Sequence, residues 1–468
     1  MAENDLDVEF EPRMSDADAL MWSIEKDPLL RSTITSVFVL DRAPDRRLFR
    51  RRMDRVSRLV PRLRQRVLGH PMSIAPPRWE IDPNYDLDYH LRCVRAVGEA
   101  TLREVLDMAE PIAMQGFDRA RPLWEFTVVE GLVDDRAAVI AKIHHSITDG
   151  VGGVKLLMEL LDLERDLPVE PPMPIAPQPR RLDERRRMTD AVRFEAERNL
   201  RVAAGLLGSV PGDVRRLATD PVGVGLGAVS TAASLARLLR PASAPLSPLM
   251  RQRSLSVHFD ELTFPLDTLK TAPKVVSGRL NDAFVAGVAG GLRRYHDKHG
   301  VEVDYLRMTM PISIRTGAAA NRAGNQFVPA RFPVPVGIDD PIKRMAEIRM
   351  LVEHERAEPA LMLTDAIANV LNRLPATVTT NLFGAMLKCV DFITTNVPGP
   401  PLPVYMAGAR IEAQYAYGPM TGSATNVALL SHCDQVHIGV TTDPAAIPDP
   451  DVFTACLRDS FEEICALA

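Results

Sequence analysis

Cysteine is scarce in this sequence and follows no metal-binding or disulfide pattern. The 468 residues include five cysteines, an odd number, and none of them belongs to a Cys-x-x-Cys pair. Disulfide-rich secreted domains and structural zinc sites both depend on closely spaced cysteines. The sequence therefore predicts a protein of the reducing cytoplasm without a metal site.

Long apolar runs are missing as well. No stretch approaches the roughly 20 uninterrupted apolar residues that a membrane-spanning helix requires. The first residues are acidic and lack the apolar segment of a secretory signal. We expect a cytoplasmic protein whose contact with the inner membrane face or with lipid droplets is at most peripheral.

The sequence also lacks a basic charge excess and two common catalytic loops. The net charge is −5 and the isoelectric point is about 6.1, which argues against nucleic acid as a partner. A Gly-x-Ser-x-Gly nucleophile elbow and a glycine-rich phosphate loop are both absent from the sequence. An acyl-enzyme on serine is therefore disfavoured, as is a resident nucleotide cofactor.

Composition divides the chain into three regions. Residues 1–175 carry mixed helix and strand patterns, and residues 251–468 begin a second run of the same kind. Between them, 176–250 is rich in proline and arginine and then in small apolar residues, which predicts a connector, helical in part. Within it, 180–201 has eight arginines against five acidic residues.

Hydrophobic periodicity predicts a mixed α/β fold. β-branched and alternating segments predict strands at 32–40, 125–129, 137–143, 305–314, 326–336, 391–397, 424–430 and 436–441. Helical spacing predicts helices at 46–68, 150–163, 281–299, 341–354 and 449–467. Asn281 or Asp282 is expected to cap the third of these helices.

The most informative segment is 144–150, His-His-Ser-Ile-Thr-Asp-Gly, at the end of a predicted strand. Neighbouring side chains of a strand point to opposite faces. Only one of His144 and His145 can therefore face a given cavity, which disfavours a paired-histidine metal site. A single imidazole near its ordinary pKa is suited to general-base catalysis at neutral pH.

This H-H-x-x-x-D-G pattern resembles the signature of the CoA-dependent acyltransferase superfamily, which includes chloramphenicol acetyltransferase, condensation domains and bacterial wax ester synthase/diacylglycerol acyltransferases. The last family is similar over nearly the whole chain, above all in its actinobacterial and mycobacterial members. The other segments that carry the resemblance are Met14–Leu20, Pro77–Trp79, Asp86–His90, Pro122–Glu125, Asn281–Asp282, Gly324–Asn325 and Thr395–Pro400. Their order and spacing make the resemblance specific.

The resemblance implies two lobes like those of chloramphenicol acetyltransferase, with the active site in a tunnel between them. It implies that His145 is the general base and that His144 has a supporting, structural role. Asp149 is expected to be structural and to pair with an arginine, for which Arg64 is the candidate. Gly150 is expected to allow a close backbone approach.

The tetrahedral intermediate of acyl transfer needs hydrogen-bond donors for its oxyanion. The candidates are Asn281, Thr395 and Asn396, and for Asn281 a helix-capping role is an equal alternative. Pro122 and Trp124 are interpreted as packing residues that shape the site wall. The resemblance implies no permanently bound cofactor, with acyl-CoA as a co-substrate.

The implied substrates are a long-chain acyl-CoA and either diacylglycerol or a fatty alcohol. One alternative is a condensation-type enzyme that takes acyl groups from a carrier protein, and another is a non-catalytic lipid-binding or lipid-droplet protein. The region 180–240 is interpreted either as a docking surface for anionic lipid or as a solvated connector. The sequence leaves the oligomeric state open.

Overall fold

The computed structural model describes most of the chain. The described residues are 11–69, 75–147, 159–166, 172–179, 183, 185–200, 244–313, 327–356 and 376–468. The helix predicted at 150–163 lies largely outside them, as do Asp149, Gly150, residues 201–243 and the Gly324–Asn325 segment.

Helices and strands alternate along the described chain. Its strands are β1 (Thr33–Leu40), β2 (Gln65–Leu68), β3 (Arg78–Ile81), β4 (Leu91–Arg95), β5 (Trp124–Glu130), β6 (Ala137–His144), β7 (His258–Pro265), β8 (Tyr305–Ser313), β9 (Phe327–Pro335), β10 (Phe392–Pro398), β11 (Tyr405–Met406), β12 (Ala409–Tyr417), β13 (Thr425–His432) and β14 (Gln435–Thr442). Its helices are α1 (Asp16–Ile24), α2 (Arg46–Leu59), α3 (Leu87–His90), α4 (Leu102–Met114), α5 (185–200), α6 (Leu266–Thr271), α7 (Leu280–Lys298), α8 (Pro341–Arg356), α9 (Ala376–Leu387) and α10 (Pro450–Cys465). Within this described part, no helix combines the length and the apolarity needed to cross a bilayer.

The first lobe is built on a six-stranded sheet in the order β11-β12-β1-β6-β5-β4. Its pairings are antiparallel except for the parallel pair of β4 and β5. One face carries a core that includes Phe38, Trp124 and Phe126. The other face packs against α4 through a second core that includes Val37 and Ile140. The sheet is therefore covered on both faces.

The second lobe is built on another six-stranded sheet, in the order β7-β14-β13-β10-β8-β9. Helices α7 and α10 cover it and enclose the largest core of the described residues. Gly287 of α7 lets α10 come close, because a Cβ atom there would lie 2.4 Å from the Phe461 ring. The small residues of α7 thus serve helix packing.

The predicted strands at 32–40, 125–129 and 137–143 are confirmed as β1, β5 and β6, and those of the second half are confirmed as β8, β9, β10, β13 and β14. The helices predicted at 281–299, 341–354 and 449–467 are confirmed within a few residues. The N-cap residue of α7 is Arg279, and of the two predicted capping residues only Asp282 contributes, as the N3 residue of a capping box. The Asp282 carboxylate accepts a hydrogen bond from the Arg279 backbone N–H at 2.7 Å.

The single helix predicted at 46–68 is wrong in its second half. Helix α2 ends at Leu59, and Val60 has an extended backbone before Pro61. Proline disfavours the helical conformation of the residue before it and supplies no backbone N–H. The chain therefore makes a short 3₁₀ turn, Pro61–Arg64, and enters β2.

The sequence analysis did not predict that a strand from the second half of the chain joins the sheet of the first lobe. Strand β12, from the region 251–468, pairs with β1 of the first lobe, with Thr35 opposite Tyr417. Gly439 of β14 packs so closely against β12 that a Cβ atom there would lie 2.2 Å from the Ala416 carbonyl oxygen. The second half of the sequence thus completes the sheet of the first lobe.

The two lobes also meet through a charged cluster between α4 and β7. The imidazole Nδ1 of His258 lies 3.1 Å from the Glu110 carboxylate, and its Nε2 lies 3.3 Å from that of Asp260. The contact with Asp260, followed by that with Glu110, raises the pKa of His258 to about 9. Arg103 also contacts the carboxylates of Glu110 and Asp260, so two cationic and two anionic side chains form ion pairs at the junction.

This junction predicts a pH-dependent stability. Because the pKa of His258 is higher in the folded protein than its ordinary value of 6.5, its stabilising effect is complete below pH 6.5 and is lost as the pH rises through about 9. The wild type should therefore exceed His258→Gln in urea resistance at pH 6, and the difference should shrink by pH 10. An equal difference at both pH values would show that His258 does not act through its charge.

Candidate active site

The two histidines of the motif lie at the end of β6. His144 is the last residue of the strand and stands opposite Thr33 of β1. The next residue, His145, is half-buried, and its backbone N–H donates to the Ser32 carbonyl oxygen at 2.8 Å. The ladder between β1 and β6 therefore extends into the motif and fixes the backbone of His145.

His144 is buried and is held at both ring nitrogens. Its Nδ1 accepts a hydrogen bond from the Ser146 backbone N–H at 3.1 Å, and its Nε2 lies 2.8 Å from the Glu25 carboxylate. An imidazole nitrogen that accepts cannot also carry a proton, so Nε2 is the donor to Glu25. Trp22 packs edge-on against the same ring. These contacts hold the His144 ring in one orientation, and its supporting role in the site stays a prediction.

Glu25 is a site residue that the sequence analysis did not identify. The same carboxylate oxygen that meets His144 accepts the Ser32 backbone N–H at 2.7 Å. Burial alone raises the pKa of the Glu25 carboxyl. The hydrogen bond from His144, the hydrogen bond from the Ser32 backbone and the positive charge of Arg119 together outweigh burial, so the pKa of Glu25 is lowered overall. An ionised Glu25 thus ties together the segments that carry both histidines.

Trp124 and Pro122 are both buried, and Trp124 lies in the first-lobe core rather than on an open surface. The indole Nε1–H donates to the Leu63 carbonyl at 2.8 Å, and the ring stacks on His90 at 4.4 Å. His90 in turn bonds to the Trp124 carbonyl oxygen at 2.7 Å. Two of the segments that carry the family resemblance, Asp86–His90 and Pro122–Glu125, therefore pack against each other.

The oxyanion candidates lie in the second lobe. Thr395 and Asn396 are half-buried neighbours in β10, so their side chains point to opposite faces of the sheet. Asn281 lies in the first turn of α7, and its side-chain nitrogen is 3.8 Å from the Met310 sulfur of β8. His145 thus comes from one lobe and its three candidate partners from the other, and their role as oxyanion donors stays a prediction.

Arg64 lies beside α2 and contacts two residues of that helix. Its guanidinium donates to the Asp54 carboxylate at 2.5 Å and to the Ser57 hydroxyl at 3.0 Å. It also lies over the Tyr85 ring, 4.4 Å from the centroid. These contacts give Arg64 a structural role beside α2. Its predicted partner, Asp149, lies outside the described residues.

A pocket lies where residues of the two lobes meet. Arg31 and Thr33 line it, and they flank Ser32, whose carbonyl accepts the His145 backbone N–H. Its other walls come from the loop at 253–257, the end of β12 and the turn at 418–423.

Comparison with solved structures shows the same fold. A wax ester synthase/diacylglycerol acyltransferase from Marinobacter aquaeolei VT8 superposes with a TM-score of 0.61 at 19% identity, covering 97% of this chain and 98% of that one. The first condensation domain of the calcium-dependent antibiotic synthetase also gives 0.61, at 16% identity, with 98% and 96% covered. The mixed α/β fold with two lobes is therefore confirmed.

Comparison of sequences identifies the family. The model of the wax ester synthase/diacylglycerol acyltransferase catalytic domain matches residues 14–284, and that of the family's C-terminal domain matches 323–465. A Mycobacterium tuberculosis protein with the provisional name diacylglycerol O-acyltransferase is 40% identical, over 98% of this chain and 93% of its own. The chain belongs to the wax ester synthase/diacylglycerol acyltransferase family.

Proposed function

We propose that this protein transfers the acyl group of a long-chain acyl-CoA to the free hydroxyl of diacylglycerol and so makes triacylglycerol. The observation that carries the proposal is the 40% identity, over nearly the full length of both chains, to a relative named for this activity. The histidine pair at the end of β6, fixed by Ser32 and Glu25, supplies the chemistry that such a transfer needs.

The proposed reaction proceeds in a ternary complex. His145 takes the proton of the acceptor hydroxyl, whose oxygen attacks the thioester carbonyl carbon. Asn281 and one of Thr395 and Asn396, whose side chains lie on opposite faces of β10, supply donors to the oxyanion of the tetrahedral intermediate. When the intermediate collapses, the carbon–sulfur bond breaks and His145 returns the proton to the CoA thiolate. The products are an ester and free CoA, and the base is regenerated.

Fatty alcohols are the second acceptor class that we propose, which adds wax ester synthesis to the same site. Diacylglycerol and a fatty alcohol present the same nucleophile, a primary or secondary hydroxyl beside a long alkyl chain. Both reactions therefore need one base and one thioester, and the shape of the acceptor channel sets their ratio.

The proposal is tested with the purified full-length protein, palmitoyl-CoA and either dioleoylglycerol or hexadecanol. We expect one free thiol for each ester formed, with dioleoylglycerol as an acceptor. Activity only when the acyl group is presented on a carrier protein would favour the condensation-type alternative. Lipid binding without ester formation from either acceptor would favour a lipid-binding protein.

We further propose that the outer face of α5 docks on anionic lipid. The inner face is fixed to the first lobe, since Asp190 accepts from Arg13 at 2.6 Å and from Arg78 at 2.8 Å. The outer face exposes Met188 and Val192, by 40% and 61%, on a segment rich in arginine. Helices that lie in the membrane interface combine exposed apolar side chains with cationic side chains.

Docking predicts that a Met188→Ser, Val192→Ser double variant loses binding to phosphatidylglycerol vesicles in a sedimentation assay. Binding of the wild type should also fall with added salt, because charge contributes to it. Val97→Ser is the matched control, since Val97 is 66% exposed but lies outside α5. Equal vesicle binding by the double variant and the wild type would make α5 a connector.

A further inference from the structure

The segment that joins α1 to β1 is packed against the second lobe. Leu387 of α9 packs on a small core formed by three buried side chains of this segment, Leu20, Ile24 and Leu30. Gly384 of α9 lies so close that a Cβ atom there would be 3.3 Å from the Leu30 side chain. Because α9 leads into β10 of the second sheet, this part of the first lobe is fixed to the second.

An ion pair at the same contact has both of its partners ordered by the protein. The Asp27 carboxylate pairs with the Lys388 ammonium. Its other oxygen accepts the Leu29 backbone N–H at 3.1 Å and so caps the 3₁₀ turn Pro28–Leu30. The stem of Lys388 lies along Gly422, where a Cβ atom would be 3.0 Å from the lysine Cγ. Side chains that are already held in place lose less entropy on pairing, so this pair is worth more than an ordinary surface pair.

The same segment holds the histidine motif. One oxygen of the Glu25 carboxylate meets the His144 imidazole and also accepts the Ser32 backbone N–H. The Ser32 carbonyl in turn accepts the His145 backbone N–H. The 3₁₀ turn that Asp27 caps lies between Glu25 and Ser32. A displacement of Asp27 therefore moves the residues that fix the backbone of His145.

On the other side of the ion pair, Lys388 is fixed to β10. The Val390 carbonyl between them accepts from the Arg253 guanidinium at 2.9 Å. The carboxylate of Asp391, which is fully buried, accepts three backbone N–H groups. Strand β10 starts at the next residue and carries two of the oxyanion candidates. The ion pair therefore joins a residue fixed to the histidine motif and a residue fixed to these candidates.

We propose that Asp27 and Lys388 are positioning residues whose ion pair aligns His145 with the oxyanion donor of β10. This inference rests on the proposed function, because the alignment affects catalysis only if both groups act on one acyl group. Neither residue lines the pocket between the lobes. A displacement of about 1 Å can lower a rate by about 10²-fold, so an ion pair of modest strength is sufficient to affect kcat.

The test is a double-mutant cycle on kcat. Lys388→Met removes the charge and retains the stem along Gly422, and Asp27→Asn retains the oxygen that caps the turn. Each variant is expected to lower kcat for triacylglycerol formation about twofold to fivefold, the range for an exposed ion pair, with little change in the KM of either substrate. The double variant should lose no more than either single variant. Independent, multiplying losses would overturn the proposal.

Charge reversal gives a readout that a merely structural lysine would not produce. Lys388→Glu places a second carboxylate beside Asp27 and should lower kcat further than Lys388→Met does. Adding Asp27→Asn to Lys388→Glu removes the repulsion, so kcat should rise although the protein carries one more substitution. A further fall of kcat in this double variant would contradict the proposed role of the charge.

Arg92→Met is the matched control. Arg92 pairs with Glu125 at 2.6 Å, and both residues are partly exposed, but β4 and β5 belong to the same lobe. The control should retain wild-type kcat. A loss equal to that of Lys388→Met would show that the effect does not depend on a contact between lobes.

Histidine NMR separates this inference from the proposed function, because it needs no turnover. In protein with isotope-labelled histidine, the imidazole signals of the motif are assigned from His144→Ala and His145→Ala. Lys388→Met should shift these signals and Arg92→Met should not, a result that supports the link between Lys388 and the motif even if no ester is formed. Unchanged signals in Lys388→Met would overturn the inference even if triacylglycerol is made.

Discussion

Replacing His145 by alanine is expected to lower kcat for triacylglycerol formation by about 10²–10⁴, the usual contribution of a positioned general base. The alanine variant retains the backbone hydrogen bond from residue 145 to Ser32, so the end of β6 should keep its conformation. Its thermal unfolding should therefore stay near that of the wild type, and the KM for palmitoyl-CoA should change little. Steady-state thiol release measures both constants.

The control for this variant is His354→Ala, because His354 is an exposed histidine of α8 in the other lobe. It should retain wild-type kcat. His144→Ala should behave differently from both, since it removes the hydrogen bond to the buried Glu25 and should lower stability as well as activity. Wild-type kcat in His145→Ala would exclude this residue as the base.

Replacing Trp124 by alanine is expected to lower the free energy of unfolding by about 3–5 kcal/mol, the usual cost of deleting a buried tryptophan. The side chain is fully buried, stacks on His90 and donates to the Leu63 carbonyl. Its removal leaves a cavity in the first-lobe core and an unpaired carbonyl. Urea unfolding followed by circular dichroism measures the loss.

Trp124→Phe separates the packing of the ring from the hydrogen bond. It retains an aromatic ring against His90 but leaves the Leu63 carbonyl without its donor, so we expect a smaller loss of about 1–3 kcal/mol. Neither variant should change the KM for dioleoylglycerol at temperatures where it is folded. A stable Trp124→Ala protein with a raised acceptor KM would instead place this ring on the substrate channel.

The sequence predicted those elements whose signal is local. Strands such as β1 and β13 are runs of β-branched and apolar residues, and α7 and α10 have regular apolar spacing between clear ends. The error at 46–68 has the same origin. Its arginine-rich pattern continues through a proline, and the sequence analysis followed the pattern rather than the proline.

No pattern in the sequence predicted the contacts between distant segments. The pairing of β12 with β1 joins Thr35 to Tyr417, and a short strand contains no information about its partner. Glu25 is one acidic residue after a helix, 119 positions before the histidine that it binds. The pairing of β1 with β6 brings Glu25 and His144 together, so their contact can be recognised only in the three-dimensional structure.

For the candidate site, the sequence identified residue types better than their surroundings. Strand alternation predicted that only one of the two histidines faces a given cavity, and the resemblance selected His145; in the structure His144 is buried and His145 is half-buried. Trp124 was interpreted as a packing residue that shapes the site wall, and the structure places its ring in the first-lobe core. Arg64 was selected by resemblance, and the structure shows it paired with Asp54. Burial and ion pairing depend on tertiary packing, which a single sequence does not encode locally.

The most direct test of direct acyl transfer with His145 as base is a single-turnover experiment. Enzyme in excess is mixed with radiolabelled palmitoyl-CoA and dioleoylglycerol, and the label is followed in CoA, protein and lipid. We predict that the wild type moves the label straight into triacylglycerol, without labelled protein, and that His145→Ala leaves it on CoA over the same interval. Triacylglycerol formed by His145→Ala at the wild-type rate would contradict the account.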